Sequence, residues 1–143
     1  MEYNDKVHWL RRYLDAQRKE RVLAEEVERL RAEAERVTPL LSGMPGGGPN
    51  TDKLPAAVER IIDAQQQLEA QINCCHAIRR EVVAAINTVT DDRQHEILHR
   101  RYILGQRWEQ IAVNMCIEYR WVWRLHKKAI NKLTIKSDIS PVV

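Results

Sequence analysis

Residues 108–133 read WEQIAVNMCIEYRWVWRLHKKAINKL, and the fold is decided in this stretch. Its apolar residues fall into two runs at helical spacing: Trp108, Ile111, Ala112 and Met115 on one face of a first short helix, then Val122, Leu125, Ala129 and Leu133 on one face of a second, Tyr119 to Leu133. Between them Cys116-Ile117-Glu118 leaves room only for a tight turn. Two short helices across a tight turn, with a small Ala112 where the backbones approach, make a helix-turn-helix pattern. A third helical pattern lies just upstream. It runs from Gln94 to Leu104 with Ile97, Leu98, Tyr102 and Ile103 apolar, stops at Gly105, and follows Thr90-Asp91-Asp92, a cluster suited to ending one helix and starting the next.

The outward face of the last helix carries the candidate chemistry. Tyr119, Arg120, Trp121, Trp123, Arg124, Lys127 and Lys128 lie there, with Arg107 just ahead of the preceding helix. The early residues of such a helix meet base edges and the later cations meet phosphates. Arg120 is suited to a bidentate bond to guanine, and Trp121 and Trp123 to a thymine methyl or the sugar-phosphate backbone. The blander alternative is a solvated charged face that lends one Trp to the core. Two tryptophans among four cations argue for contact with nucleic acid, because soluble proteins seldom leave such surface unused.

Charge follows the same division. Of a net +3 over 143 residues, positions 1–91 contribute −2 and positions 92–136 contribute +6, and five of the eight aromatic residues fall in the basic block. An acidic-to-neutral arm therefore precedes a basic, aromatic-rich domain. In the arm, Trp9, Tyr13, Ala16, Glu20, Leu23, Val27, Leu30, Ala34 and Val37 advance by alternating fours and threes, a coiled-coil seam with one polar member. No Gly or Pro interrupts it before Pro39, so a helix from near Asn4 to near Arg36 spans about 50 Å. A second seam runs Val58, Ile61, Gln65, Leu68, Ile72, Cys75, Ile78, Val82, Ile86, Val89, with Thr51 or Asp52 as N-cap. Helices that long and thin need a partner, and two of matched length fold back antiparallel. Glu20, Gln65 and Arg79, on or beside the seams, are read as residues that set register or oligomer state. The connection Thr38 to Thr51, rich in Gly, Pro, Ser, Thr and Asn, is expected to be a mobile hinge outside helix or strand. Its Gly46-Gly47-Gly48 lacks the Lys-Ser/Thr ending of a phosphate-binding loop.

Other function classes fare worse. A chain of 143 residues has no room for a large α/β enzyme. No stretch approaches the roughly 18 apolar residues of a membrane span, and Glu2, Asp5 and Lys6 near the start argue against a secretory signal, so the cytoplasm is the expected location. Three cysteines, two of them adjacent at Cys74 and Cys75, read as reduced thiols, with Cys75 in the core. His95-Glu96-Ile97-Leu98-His99 matches H-E-x-x-H, a zinc-hydrolase pattern for which Glu118 and His126 are the candidate third ligands. It is followed by Arg100 and Arg101, which repel a dication, and no strand is present to align a peptide, so neither a metal nor a cofactor is expected. Cys74-Cys75-His76 is no better, since neighbours on a helix point about 100° apart.

Arg101-Tyr102-Ile103-Leu104-Gly105, Trp108-Glu109-Gln110-Ile111-Ala112, Met115, Val122, Arg124-Leu125-His126, Ala129 and Leu133 resemble the helix-turn-helix of region 4 of bacterial sigma factors. They also look like the version in phage late-gene transcriptional regulators of the ArpU and RinA kind. Thr38-Pro39, Leu41-Ser42-Gly43-Met44-Pro45, Gly47-Gly48 and Asp52-Lys53-Leu54 are similar to a loop of small phage and prophage proteins of Gram-positive bacteria. The resemblance covers roughly residues 9–133. It implies a sequence-specific DNA-binding protein that switches on late phage genes, with Tyr119, Arg120, Trp121, Arg124 and Lys127 at the positions that read promoter DNA. Two positions depart from the family. Cys116 stands where Gly is usual and must adopt positive φ or use a different turn, and Glu118 stands where Ser or Thr usually caps the recognition helix.

The expectation is thus an all-α protein that is not an enzyme. A coiled-coil-like antiparallel hairpin over 1–91, with its loop at 38–52, mediates self-association into a dimer or larger oligomer. A DNA-binding domain follows over 92–133, and then a frayed tail over 134–143. Double-stranded DNA is the expected partner, with host RNA polymerase as a further one. The alternatives are a small terminase-type packaging subunit and a polymerase-binding module that never reads bases.

Overall fold

In the computed structural model, which describes residues 1–42 and 53–136, every regular element among the described residues is helical. The elements are α1 (Tyr3–Ser42), α2 (Lys53–Ile86), α3 (Asp92–Tyr102), α4 (Trp108–Met115) and α5 (Tyr119–Lys132). The chain is all-α, as its periodicities predict. Arg12 of α1 meets Glu81 of α2 at 2.9 Å, and further along the Gln71 side chain donates to the Ala16 carbonyl at 3.0 Å. As α1 advances α2 recedes, which is the antiparallel hairpin. No helix among the described residues is long and apolar enough to cross a membrane.

Several boundaries differ from expectation. α1 runs on to Ser42 through Pro39, whose fixed φ is helical although it has no N–H to donate to the preceding turn. The expected hinge therefore loses its first residues to α1. The glycines at 46–48, the N-cap at Thr51 or Asp52 and Pro141 lie outside the described residues. α2 ends at Ile86, three residues short of its last seam position. Thr88 turns the chain there, its hydroxyl donating to the Ala85 carbonyl at 2.6 Å, and Val89 is buried from the turn rather than from a helix. α3 starts two residues earlier than the apolar pattern, capped by Asp91, whose carboxylate accepts from the Gln94 N–H at 3.0 Å. It ends in a left-handed turn at Gly105, φ +70, with the Gln106 N–H bonding back to the Arg100 carbonyl.

Two compact units emerge, residues 1–15 with 76–143, and residues 16–75. The boundary at 91/92 suggested by charge lies inside the first. Its larger apolar cluster joins Leu10 and Tyr13 of α1, Val82, Ala85 and Ile86 of α2, Leu98 and Tyr102 of α3, and Ala129, Ile130 and Leu133 at the end of α5. A smaller cluster of Ile97, Ile111 and Val122, ringed by Trp108, Ala112, Met115, Ile117 and Leu125, holds α3, α4 and α5 together. Thr134 and Ile135 are not frayed: the Thr134 N–H bonds the Thr88 hydroxyl and Ile135 packs on the larger cluster.

In the second unit the buried apolar side chains are Ala16, Val27 and Cys75, while Leu23, Leu30, Ile61, Leu68 and Ile72 are half-buried. Val58, expected in the seam, is exposed. An α-helix drifts by about 20° per heptad against a 3.5-residue repeat, so a seam centred on Cys75 turns away from its partner more than two heptads upstream. Glu20, Gln65 and Arg79 are at most half-buried. Burial and the neighbouring Glu20 carboxylate push the Cys75 thiol up to about 11, which keeps it protonated.

Candidate nucleic-acid interface

The turn that sets the angle between α4 and α5 is made by an unusual residue. Cys116 takes φ 55, ψ 41 and is the one non-glycine with positive φ among the described residues. Of the two options its sequence left open, it takes the strained one. The cost is about 1–2 kcal/mol for a side chain in the left-handed region. In return Cys116 and Ile117 donate their N–H groups to the carbonyls of Val113 and Ala112, which would otherwise be orphaned at the end of α4. Glu118 then enters α5 in extended conformation and makes no side-chain cap bond, so only its negative charge favours the helix N-terminus.

α5 is locked by its inner face. Val122, Ala129 and Ile130 are fully buried, Leu133 nearly so, and Leu125, expected among them, is only half-buried. His126 takes a central place that the apolar pattern did not assign, at 1% exposure. Its Nε2 pairs with the Tyr102 hydroxyl at 2.7 Å and its Nδ1 with the Tyr3 hydroxyl at 3.1 Å. A neutral imidazole has one N–H, so one tyrosine accepts and the other donates, and both ring nitrogens are satisfied. Burial, and secondarily the Arg101 charge, bring His126 down to about 4, which keeps it neutral. Burial raises Tyr102 and Tyr3 in the same sense. Lys6 completes the anchoring: its ammonium donates to the carbonyls of Ile130 at 3.1 Å and Leu133 at 2.9 Å, capping the α5 C-terminus with positive charge.

With that face fixed, the opposite one is determined. At 100° per residue, Arg120, Trp121, Arg124, Lys127, Lys128 and Asn131 project within about 60° of the direction opposite Val122 and His126, and all six are exposed. Tyr119 and Trp123 are set to one side. The Trp123 ring stacks on Trp108 at 4.5 Å, Tyr119 meets its edge at 6.3 Å, and the Arg101 guanidinium lies 4.4 Å over the Trp108 ring centroid. Trp123 nevertheless keeps 41% of its surface exposed, so it shares itself between the Trp108 contact and solvent. Trp121 is 49% exposed, and the Arg124 guanidinium sits 5.2 Å from its ring centroid. Arg107 is exposed at the N-cap of α4 and makes no cap bond with its side chain.

The structure thus brings Arg120, Trp121, Arg124, Lys127 and Lys128 onto one strip, and leaves Tyr119, Trp123 and Arg107 beside it. The sequence reading missed the residues that hold the strip in place. Helical spacing from Val122 to Ala129 puts His126 inward, but its polarity disguised it. Gln106 organises the turn before α4 by accepting on its side-chain oxygen from Asn114 at 3.1 Å and on its backbone carbonyl from Arg101 at 3.0 Å; nothing local in the sequence marks it.

The residues of the H-E-x-x-H pattern are engaged elsewhere. His95 pairs with Asn87 at 3.0 Å, Glu96 accepts from Arg100 at 2.8 Å, and burial lowers His99. Among the described residues no group of three or more His, Cys, Asp and Glu is placed to hold a metal ion. Comparison with protein-family models, curated proteins and solved structures finds no match to this chain.

Proposed function

We propose that the protein is a sequence-specific regulator of transcription that reads double-stranded DNA with α5 in the major groove. One observation carries this reading: a strip of four cations and a tryptophan stands exposed on a helix whose opposite face is locked by Val122, His126, Ala129 and Ile130. A rigid helix presenting donors is the apparatus of direct readout. Arg120, Trp121 and Arg124, in the first two turns, are assigned to base edges, and Lys127 and Lys128 to phosphates, with Arg107 a backbone contact from α4. The resemblance to sigma region 4 and to ArpU- and RinA-type regulators supports activation of phage late genes in the bacterial cell, beside host RNA polymerase.

A basic domain of charge +6 making a handful of phosphate contacts binds weakly at physiological salt. Two copies on neighbouring half-sites bind far more tightly, and the half-buried seam of residues 16–75 suits that pairing.

The experiment is to incubate purified protein with sheared DNA of its source genome at about 0.15 M salt, where weak backbone binding is suppressed, and to sequence what is retained. Enrichment of one region upstream of late genes supports the regulator. Enrichment at a packaging site, with a ring-sized oligomer in light scattering, replaces it with a terminase-type subunit. Uniform or absent retention refutes base reading and leaves a polymerase-binding module.

A further inference from the structure

The outer strip of α5 is chemically one-sided. Arg120, Arg124, Lys127 and Lys128 donate hydrogen bonds and accept none, and the Trp121 indole N–H also only donates. Asn131, near the far end, is the single strip side chain with an acceptor. In the major groove guanine offers two acceptors, O6 and N7, and thymine offers O4, whereas adenine and cytosine each present an amino donor. A donor-only strip therefore favours guanine and thymine on the strand it faces.

Within the strip, Trp121 and Arg124 form a unit. They stand one helical turn apart, both exposed, with the guanidinium 5.2 Å from the indole centroid. Trp123, by contrast, has its face taken up by Trp108 at 4.5 Å. An arginine held within cation–π distance of an aromatic face has fewer rotamers open to it, so its planar fork of N–H donors is partly oriented before DNA arrives. A guanidinium bonded to guanine O6 and N7 lies beside the C5 position of the base on the 5′ side. When that base is thymine, C5 carries a methyl group, and the apolar surface next to the guanidinium is the Trp121 ring.

We propose that Trp121 and Arg124 act together as a reader of a 5′-TG-3′ step, Arg124 bonding the guanine O6 and N7 and Trp121 covering the thymine methyl. The assignment rests on α5 being the DNA-reading helix, and the test separates the two claims.

The full chain is first used to select duplexes from a random pool, and the preferred duplex is then altered one atom group at a time. Replacing the step's thymine by deoxyuridine removes only the methyl and is expected to weaken binding about fourfold, the worth of one buried methyl. Replacing its guanine by 7-deazaguanine removes only the N7 acceptor and is expected to weaken binding about five- to tenfold. Inosine in place of that guanine removes only the minor-groove amino group and is expected to change binding less than about twofold. Trp121→Ala, at an exposed position, is expected to bind the thymine and deoxyuridine duplexes equally, with an unchanged helical circular dichroism spectrum. Selected duplexes without a TG step, indifference of the unaltered protein to deoxyuridine, or methyl discrimination that survives Trp121→Ala each overturn the assignment while leaving DNA reading intact. Failure to select any sequence overturns DNA reading itself.

Discussion

Lowering the pH from about 7.5 to about 5 is expected to remove about 2 kcal/mol of folding stability through His126 alone. In the folded protein this imidazole, wedged between Tyr3 of α1 and Tyr102 of α3 with Arg101 close by, titrates at about 4 against an ordinary 6.5. The folded state thus prefers the neutral form. Its contribution is fully present above the unfolded value and drains away as pH falls from about 6.5 to about 4, because over that range the unfolded chain takes up a proton that the folded chain refuses. At about 1.4 kcal/mol per pH unit, the interval from 6.5 to 5 accounts for about 2 kcal/mol, rising to about 3 kcal/mol near pH 4. All four tryptophans fall within residues 1–15 and 76–143, so their fluorescence during urea unfolding reports the unit that holds His126. His126→Gln keeps a donor and an acceptor but cannot titrate. It is expected to be less stable at pH 7.5 and to lose about 2 kcal/mol less than the unaltered chain on going to pH 5. Since every other ionisable group is common to the two proteins, parallel pH dependences would refute the reasoning.

Cys116→Gly is expected to raise stability by up to about 1 kcal/mol, relief of the left-handed strain being partly offset by the freedom glycine gains when unfolded, and Cys116→Val to lower it by at least that much; paired urea melts decide. Lys6→Met, which removes the ammonium from the Leu133 carbonyl and leaves the Ile130 carbonyl with only the Leu133 N–H, is expected to cost about 1–2 kcal/mol, with Lys6→Arg recovering part of it. Arg29→Ala breaks the exposed contacts to Glu26 and Glu33 and should leave the unfolding midpoint unchanged within the error of a urea melt, since exposed pairs of this kind contribute little. In DNA-binding titrations, Arg120→Ala is expected to cost about 1–3 kcal/mol on the preferred site, whereas Lys127→Ala should weaken all sites alike and reduce the salt slope by about one.

Short-range pattern was enough for the helices that build the site. The spans of α4 and α5, the turn at 116–118 and the weak cap at Glu118 all follow from spacing and residue type within a few positions. The strip of exposed cations is legible for the same reason, because once Val122 and Ala129 face inward the directions of Arg120 and Arg124 are set by 100° steps. What escaped was the polar part of the core. Hydrophobic periodicity assigns burial to apolar side chains, and His126 and Tyr3 are buried or half-buried because each satisfies the other's hydrogen bonding, a fact of tertiary pairing that no local window contains. The role of Lys6 was hidden likewise, since a lysine in the first turns of a long helix looks like ordinary solvated charge until the carbonyls of Ile130 and Leu133 arrive beside it. Charge segregation drew a division at residue 91, but charge reports what the surface does and not which apolar side chains share a core. Leu10 and Tyr13 pack with Ala129 and Ile130 across that division.

The pairing of Tyr3 with His126, 123 positions apart, has a temporal side. A helical protein ordinarily folds fast because its contacts are local, but here the larger core cannot close until α5 exists. At roughly 5–20 residues per second of synthesis, Leu10 and Tyr13 are made on the order of ten seconds before the side chains that will cover them. The sixty residues between the two halves of that core, which have the hairpin to form among themselves, are synthesised in the interval. The order of assembly is therefore arm first and α5 last: Val82, Ala85 and Ile86 can meet Leu10 and Tyr13 as soon as α2 is made, but the cover is complete only when Ala129, Ile130 and Leu133 follow.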